Sequence, residues 1–268
     1  MLGKLLKYEI KATARWFLPI YIIIFLFAFI NRVISPFQKV GDTYSVTVEG
    51  LSFFNFMRGI SIFVYFALVV AVVAMTFVII IQRFYKNLLG DEGYLMFTLP
   101  VKPWQHIVSK LLISMMWIVL SFFVIISSVL ILLNIDNLFS ELGRLINIAR
   151  DFMGATLMFL IPVSALTSSA YFIITVYNAL SIGHLFTKHK ILASFGAYMV
   201  IYVVSQAIFS IFAFATANRI LVPLAESTAT VPPQVTSLIA SVTIIYALLG
   251  IANFIIANTI LSKRLNLE

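Results

Sequence analysis

The chain of 268 residues contains no cysteine. Disulfides, thiolate nucleophiles, iron–sulfur clusters and cysteine-ligated zinc are all excluded. Charge is also scarce: Asp, Glu, Lys and Arg make up 10% of the chain, where a soluble domain carries roughly 25%. In their place stand 62% apolar residues and a mean hydropathy of +1.07. A water-soluble globule of this length has too much surface for its volume to hide that hydrocarbon. Disorder needs the opposite composition. The sequence belongs in a membrane.

Catalytic signatures are missing as well. No G-x-x-x-x-G-K-[ST] occurs, so no P-loop can cradle nucleotide phosphates. Neither G-x-S-x-G nor H-E-x-x-H is present, which removes two common hydrolase constellations. The three histidines, His106, His184 and His189, fall in connections between apolar runs, which argues against an intramembrane haem or metal site. No Asp, Glu or His stands in the middle of a run, where proton- and ion-coupled carriers keep their coupling group. The expectation is a chain with no catalytic site, no metal and no cofactor of its own.

What is present is apolar length. Crossing about 30 Å of hydrocarbon takes a helix of about 20 residues, and six such runs occur, near 16–34, 60–81, 111–133, 152–177, 191–212 and 236–260. Continuous runs predict helices rather than barrel strands, which alternate over only about 10 residues. The first run is too long for a signal-peptide core and ends in Asn31-Arg32-Val33-Ile34 with no small-x-small site. It is expected to be a retained first span. The predicted fold is an all-α polytopic membrane protein of six transmembrane helices, a single domain over 1–268.

Lys and Arg set the orientation. Twelve fall on the side holding both termini and the second and fourth connections, with four acids; six fall on the other side, with six acids. One side is therefore +8 and the other neutral. Both termini are expected in the cytoplasm, and the basic balance needs no nucleic acid. Thr43–Val48, in the first external connection, alternates with the period of a strand. That pattern fits either a small hairpin or an ordered loop.

Two cytoplasmic segments carry more than connection. In the first, over 1–15, Lys4, Lys7, Lys11 and Arg15 recur at spacings of 3, 4 and 4, which puts them on one helical face. This pattern predicts an amphipathic interfacial helix in the headgroup plane, its cations toward anionic membrane lipid. The second, over 82–110, is the longest cytoplasmic connection and is rich in aromatic and turn residues. Gly90-Asp91 can end one element, Asp91 can cap a short helix through Phe97 that Pro100 stops, and Pro103 suits the first turn of the helix into the third span. Tyr94, Leu95 and Phe97 in a loop facing water predict a surface for a protein partner.

The stretch Gly90-Asp91-Glu92-Gly93-Tyr94-Leu95-Met96-Phe97-Thr98-Leu99-Pro100-Val101, followed by a basic residue and Ser109-Lys110-Leu111-Leu112, resembles the cytoplasmic loop of ABC exporter permeases of the type-2 class. More narrowly, it is similar to bacterial permease subunits that Gram-positive bacteria make beside a separate ATPase. The opening Lys7-Tyr8-Glu9-Ile10-Lys11 is also like theirs. The resemblance covers the whole chain in its six-span layout and these two stretches in residue detail.

The resemblance implies a half-transporter in a bacterial cell (plasma) membrane, pairing with itself or a sister permease, with ATP and Mg held in partner ATPase subunits. Segment 82–110 would be the coupling loop, with Asp91, Glu92, Tyr94, Leu95 and Phe97 at the ATPase contact. Of these, Glu92 would be the charged contact, and Tyr94 and Phe97 the packing anchors. It further implies that the second and fifth spans line a central cavity, with Tyr198, Tyr202, Ser205, Gln206 and Phe209 as its wall. Such a wall suits an amphipathic peptide or lipophilic drug. The same fifth-span residues also fit ordinary helix–helix packing, with Ser and Gln as interhelical hydrogen-bond partners. Two other functional classes remain open: a secondary transporter, and a non-transporting immunity or sensor component.

Overall fold

The structure is a computed structural model that describes residues 2–34, 37–40, 43–46, 53–90, 102–132, 138–186, 188–226 and 233–263. In chain order the elements are α1 (Leu2–Ile34), β1 (Phe37–Val40), β2 (Thr43–Val46), α2 (Phe53–Phe84), a π-helical turn (Tyr85–Leu89), α3 (Pro103–Leu132), α4 (Leu138–Gly183), α5 (Lys190–Glu226) and α6 (Pro233–Lys263). The six α-helices are all long and apolar enough to cross a bilayer. The chain is a multi-pass helical membrane protein. Its described strands, β1 and β2, pair antiparallel from Phe37↔Val46 to Val40↔Thr43, so the alternation around Thr43 does form a hairpin.

Two expected boundaries move. The connection expected over 82–110 is helical at both ends, because α2 and its π turn continue to Leu89 and α3 starts at Pro103. Likewise, the segment expected as a separate interfacial helix over 1–15 is the start of α1, which runs unbroken past Arg15. The reason is a single buried stripe: Glu9, Thr13, Phe17, Tyr21, Ile24, Ala28 and Asn31 are all buried, at spacings of three and four. One packing face spans both parts.

By packing, the chain divides into a unit of 1–80 with 116–141 and a unit of 81–115 with 142–268. In the first, α3 meets α1 and α2 through aromatic stacking and shared hydroxyls. Phe17 stacks on Trp117 with centroids 4.2 Å apart, and the Trp117 Nε1–H donates to Thr13 Oγ1 at 2.8 Å. Further along, Tyr21 and Ser121 share a hydrogen bond of 2.7 Å, Thr76 and Ser121 one of 3.3 Å, and Tyr65 and Ser128 one of 2.7 Å. Lipid tails are as apolar as leucine, so helices in a bilayer gain little by hiding leucines from them. Close packing and interhelical hydrogen bonds hold them together instead. That accounts for a unit whose contacts are hydroxyls and rings while many of its leucines and isoleucines face outward.

Candidate functional site

The second unit holds both stems of the segment expected to contact an ATPase. On the upstream side, Phe84 ends α2 and the π turn follows, closed by Gly90 N–H donating to Tyr85 O at 2.9 Å. Such i→i−5 bonds are uncommon and recur near functional sites. Gly90 fits here because a Cβ would stand 2.9 Å from Lys86 O. On the downstream side, α3 opens on Pro103, whose missing N–H costs nothing in a first turn. Its first two turns bury His106, Ile107, Ser109 and Lys110.

Tyr177 of α4 fastens the two stems together. Its ring, fully buried, stacks on Phe84 with centroids 4.0 Å apart and planes 9° from parallel. Its hydroxyl bonds Ser114 of α3 at 3.0 Å. One side chain therefore grips the helix entering the segment and the helix leaving it. Close by, Tyr85 of the π turn sets its ring edge against His184, just past the end of α4, with centroids 5.2 Å apart. His184 is half-buried, with Nε2 enclosed and without a hydrogen-bond partner among the described residues. Burial, and then the positive charge of Lys190, push its pKa below the usual histidine value.

Beyond Tyr177, α4 continues into contacts with α5 and α6. Asn178 Nδ2 donates to Asn253 Oδ1 of α6 at 2.6 Å, and Asn253 Nδ2 donates to Leu249 O at 2.9 Å. Both amides are buried, and Asn178 Oδ1 accepts no hydrogen bond from the described residues. Tyr171 hydroxyl donates to Ser205 of α5 at 2.7 Å, and its ring lies 5.3 Å from that of Tyr246 on α6. Where α4 gives way to α5 the backbones nearly touch: a Cβ on Gly183 would come within 2.7 Å of Ser194 Cα. A cavity of about 300 Å³ lies between α4 and α6, lined by Ile161, Ser164, Ala165, Ser168, Leu238, Ile239, Val242 and Tyr246. Ser164 and Ser168 donate to Ile161 O and Ala165 O, leaving a mostly apolar lining suited to hydrocarbon.

The five residues predicted at the ATPase contact, Asp91, Glu92, Tyr94, Leu95 and Phe97, lie outside the described residues. The predicted cavity wall on α5 is graded. At about 100° per residue, Ser205, Tyr198, Phe209, Tyr202 and Gln206 follow one another around the helix. Ser205 is buried, Tyr198 and Phe209 are half-buried, and Tyr202 and Gln206 are exposed. One edge of the stripe packs inside the unit, where Ser205 accepts from Tyr171 and Phe209 meets Tyr246 at 4.7 Å. The other edge faces away from the chain. Sequence reasoning missed Tyr171, Tyr177, Asn178, Tyr246 and Asn253. The available signal was an asparagine inside the last apolar run and another at the end of the fourth, where an amide needs a partner.

Among the described residues no three acidic or imidazole side chains gather as a metal-ligand set. No family model, curated protein or solved structure matches the chain.

Proposed function

We propose that this chain is the membrane-spanning permease subunit of an ATP-driven ABC exporter in a bacterial plasma membrane. It pairs with itself or a sister permease and moves an amphipathic peptide or lipophilic compound outward, on energy from a separate ATPase subunit. The observation that carries the reading is the Tyr177 fastening. A segment that merely joins two spans needs no rigid base, whereas one that passes mechanical work must move its stems together with the spans behind them. Tyr177 ties both stems to α4, and α4 in turn bonds Ser205 of α5 and lines the apolar cavity together with α6.

The test is recovery of the complex from native membranes. An ATPase subunit should stay bound, and the isolated chain should hydrolyse no ATP. Truncating central aromatic anchors costs over about 1 kcal/mol each, so Tyr94→Ala with Phe97→Ala should weaken ATPase association about tenfold or more. Tyr44→Ala on the hairpin should leave it intact. Transport that survives ATP depletion but collapses with an ion gradient would replace this reading with a secondary transporter. Peptide binding without movement would replace it with a sensor or immunity component.

A further inference from the structure

Helix α4 is 46 residues long, more than twice the length that crosses a bilayer, at about 1.5 Å per residue against ~30 Å of hydrocarbon. It is not one helix. Gly154 sits inside it at φ 77° and ψ 159°, a left-handed, extended conformation that only glycine adopts freely. The break leaves a segment over 138–153 ahead of a span over 155–183 that is already long enough to cross alone. The first segment therefore has no hydrocarbon left to traverse.

Its sequence is amphipathic. Leu142, Leu145, Ile146, Ala149, Phe152 and Met153 fall on one face at spacings of three and four. Arg144, Asn147 and Asp151 fall opposite, with Glu141 and Arg150 at the two edges. The apolar face is not covered by the rest of the chain: Leu145 is 56% exposed, Ile146 50% and Phe152 56%. In the span past Gly154, Phe159 is likewise exposed, at 75%.

We propose that residues 138–153 form an interfacial helix lying on the bilayer surface, with Gly154 as its joint to the span. Three observations select lipid as the occupant. The segment is tied through one residue to a membrane span, so its depth is set at the edge of the hydrocarbon. The span it is joined to exposes large apolar side chains as well, Met158, Phe159 and Ile161 among them. Its charges balance, two arginines against two acids, so adsorption rests on buried apolar area rather than on attraction to anionic headgroups. The helix should therefore sit on zwitterionic lipid as well as on anionic lipid, and salt should not lift it. This inference stands whether or not the chain works with an ATPase.

The cysteine-free chain makes the test direct. Full-length protein carrying one spin label, at Leu145→Cys, Ile146→Cys, Ala149→Cys, Arg144→Cys, Asn147→Cys or Asp151→Cys, is placed in phosphatidylcholine nanodiscs. Collisions with oxygen, which concentrates in lipid, are compared with collisions with a water-soluble nickel chelate. The oxygen-to-nickel ratio should rise several-fold at 145, 146 and 149 over 144, 147 and 151, with a helical period. Adding anionic lipid or salt should leave it unchanged. Equal exposure to nickel at all six positions would overturn the proposal in favour of a helix in water. Shielding of 145, 146 and 149 from both reagents would overturn it in favour of a protein partner. High oxygen exposure at every position would overturn it in favour of a helix inside the hydrocarbon.

Discussion

Tyr177 offers the sharpest test of how the stems of 91–101 are held. Tyr177→Phe removes one oxygen and keeps the stack on Phe84. Its 3.0 Å bond to Ser114 is an interhelical hydrogen bond between buried groups, a class that averages about 0.6 kcal/mol in a membrane and reaches about 1.7. Ser114 can turn its hydroxyl to a carbonyl of its own helix, so the loss should lie near the lower figure. Tyr177→Ala removes the fully buried ring too, and the cavity left behind should raise the loss to roughly 3 kcal/mol. Unfolding in bicelles, followed by steric trapping, resolves the two. A double-mutant cycle of Tyr177→Phe with Ser114→Ala should return a coupling of about 0.6 kcal/mol. Limited proteolysis gives an independent reading, because Tyr177→Ala should also speed cleavage between 84 and 110. Zero coupling in the cycle, or a Tyr177→Ala protein as stable and as protease-resistant as the parent, would refute the fastening.

Gly183→Ala should separate the end of α4 from the start of α5, since a Cβ there would meet Ser194 backbone atoms at 2.6 and 2.7 Å; overpacking of this kind costs about 1–3 kcal/mol, read as a lower melting temperature. Asn178→Leu should destabilise by about 1–2 kcal/mol by leaving Asn253 Oδ1 without its donor, whereas Asn178→Leu with Asn253→Leu should restore most of that; a double mutant equal to the sum of the singles would contradict the amide pair. His184 has a pKa lowered from 6.5 by burial and then Lys190, so above that value both folded and unfolded histidines are neutral and it contributes no pH dependence. As pH falls below 6.5 the unfolded chain takes up a proton that the folded chain resists, and stability drops; His184→Gln should flatten that part of a stability–pH profile.

Apolar run length made the span count legible, because hydrocarbon thickness imposes one minimum on every helix. Pro103 was legible as the start of α3, since a residue without an N–H fits where no N–H is needed. The helix ends on either side of the Gly90–Val101 stretch were less so. Turn residues marked its middle, but Phe84 and Leu88 extend α2 through burial, which no local pattern announces. The helix over 138–151 was not legible from apolar run length, because its apolar residues recur at spacings of three and four rather than in a continuous run. The α5 stripe shows a further limit. Periodicity put Ser205 and Tyr202 on one face, but only packing separates the buried edge from the exposed one. Tyr177 and Asn178 were illegible as a pair, since their partners lie far off in sequence on α2, α3 and α6.

On the proposed reading, α4 is the element through which the 91–101 segment would reach the ligand surface. Within one packed unit it carries, in order along its length, the wall of the apolar cavity at Ile161–Ser168, the bridge to α5 and α6 at Tyr171, the stem fastening at Tyr177 and the amide bridge at Asn178. A chain of contacts transmits work only where it is stiffer than its surroundings and has more than one arrangement. Stiffness follows from the buried ring and amide, neither of which can rotate without leaving a polar atom unpaired. The second arrangement must then come from rigid displacement of α4 rather than from rotamer changes along it. Gly154 is suited to that, because it frees the span from the surface segment at one residue. Movement of α4 would then be absorbed at its Gly154 end while the Tyr177 end follows the loop.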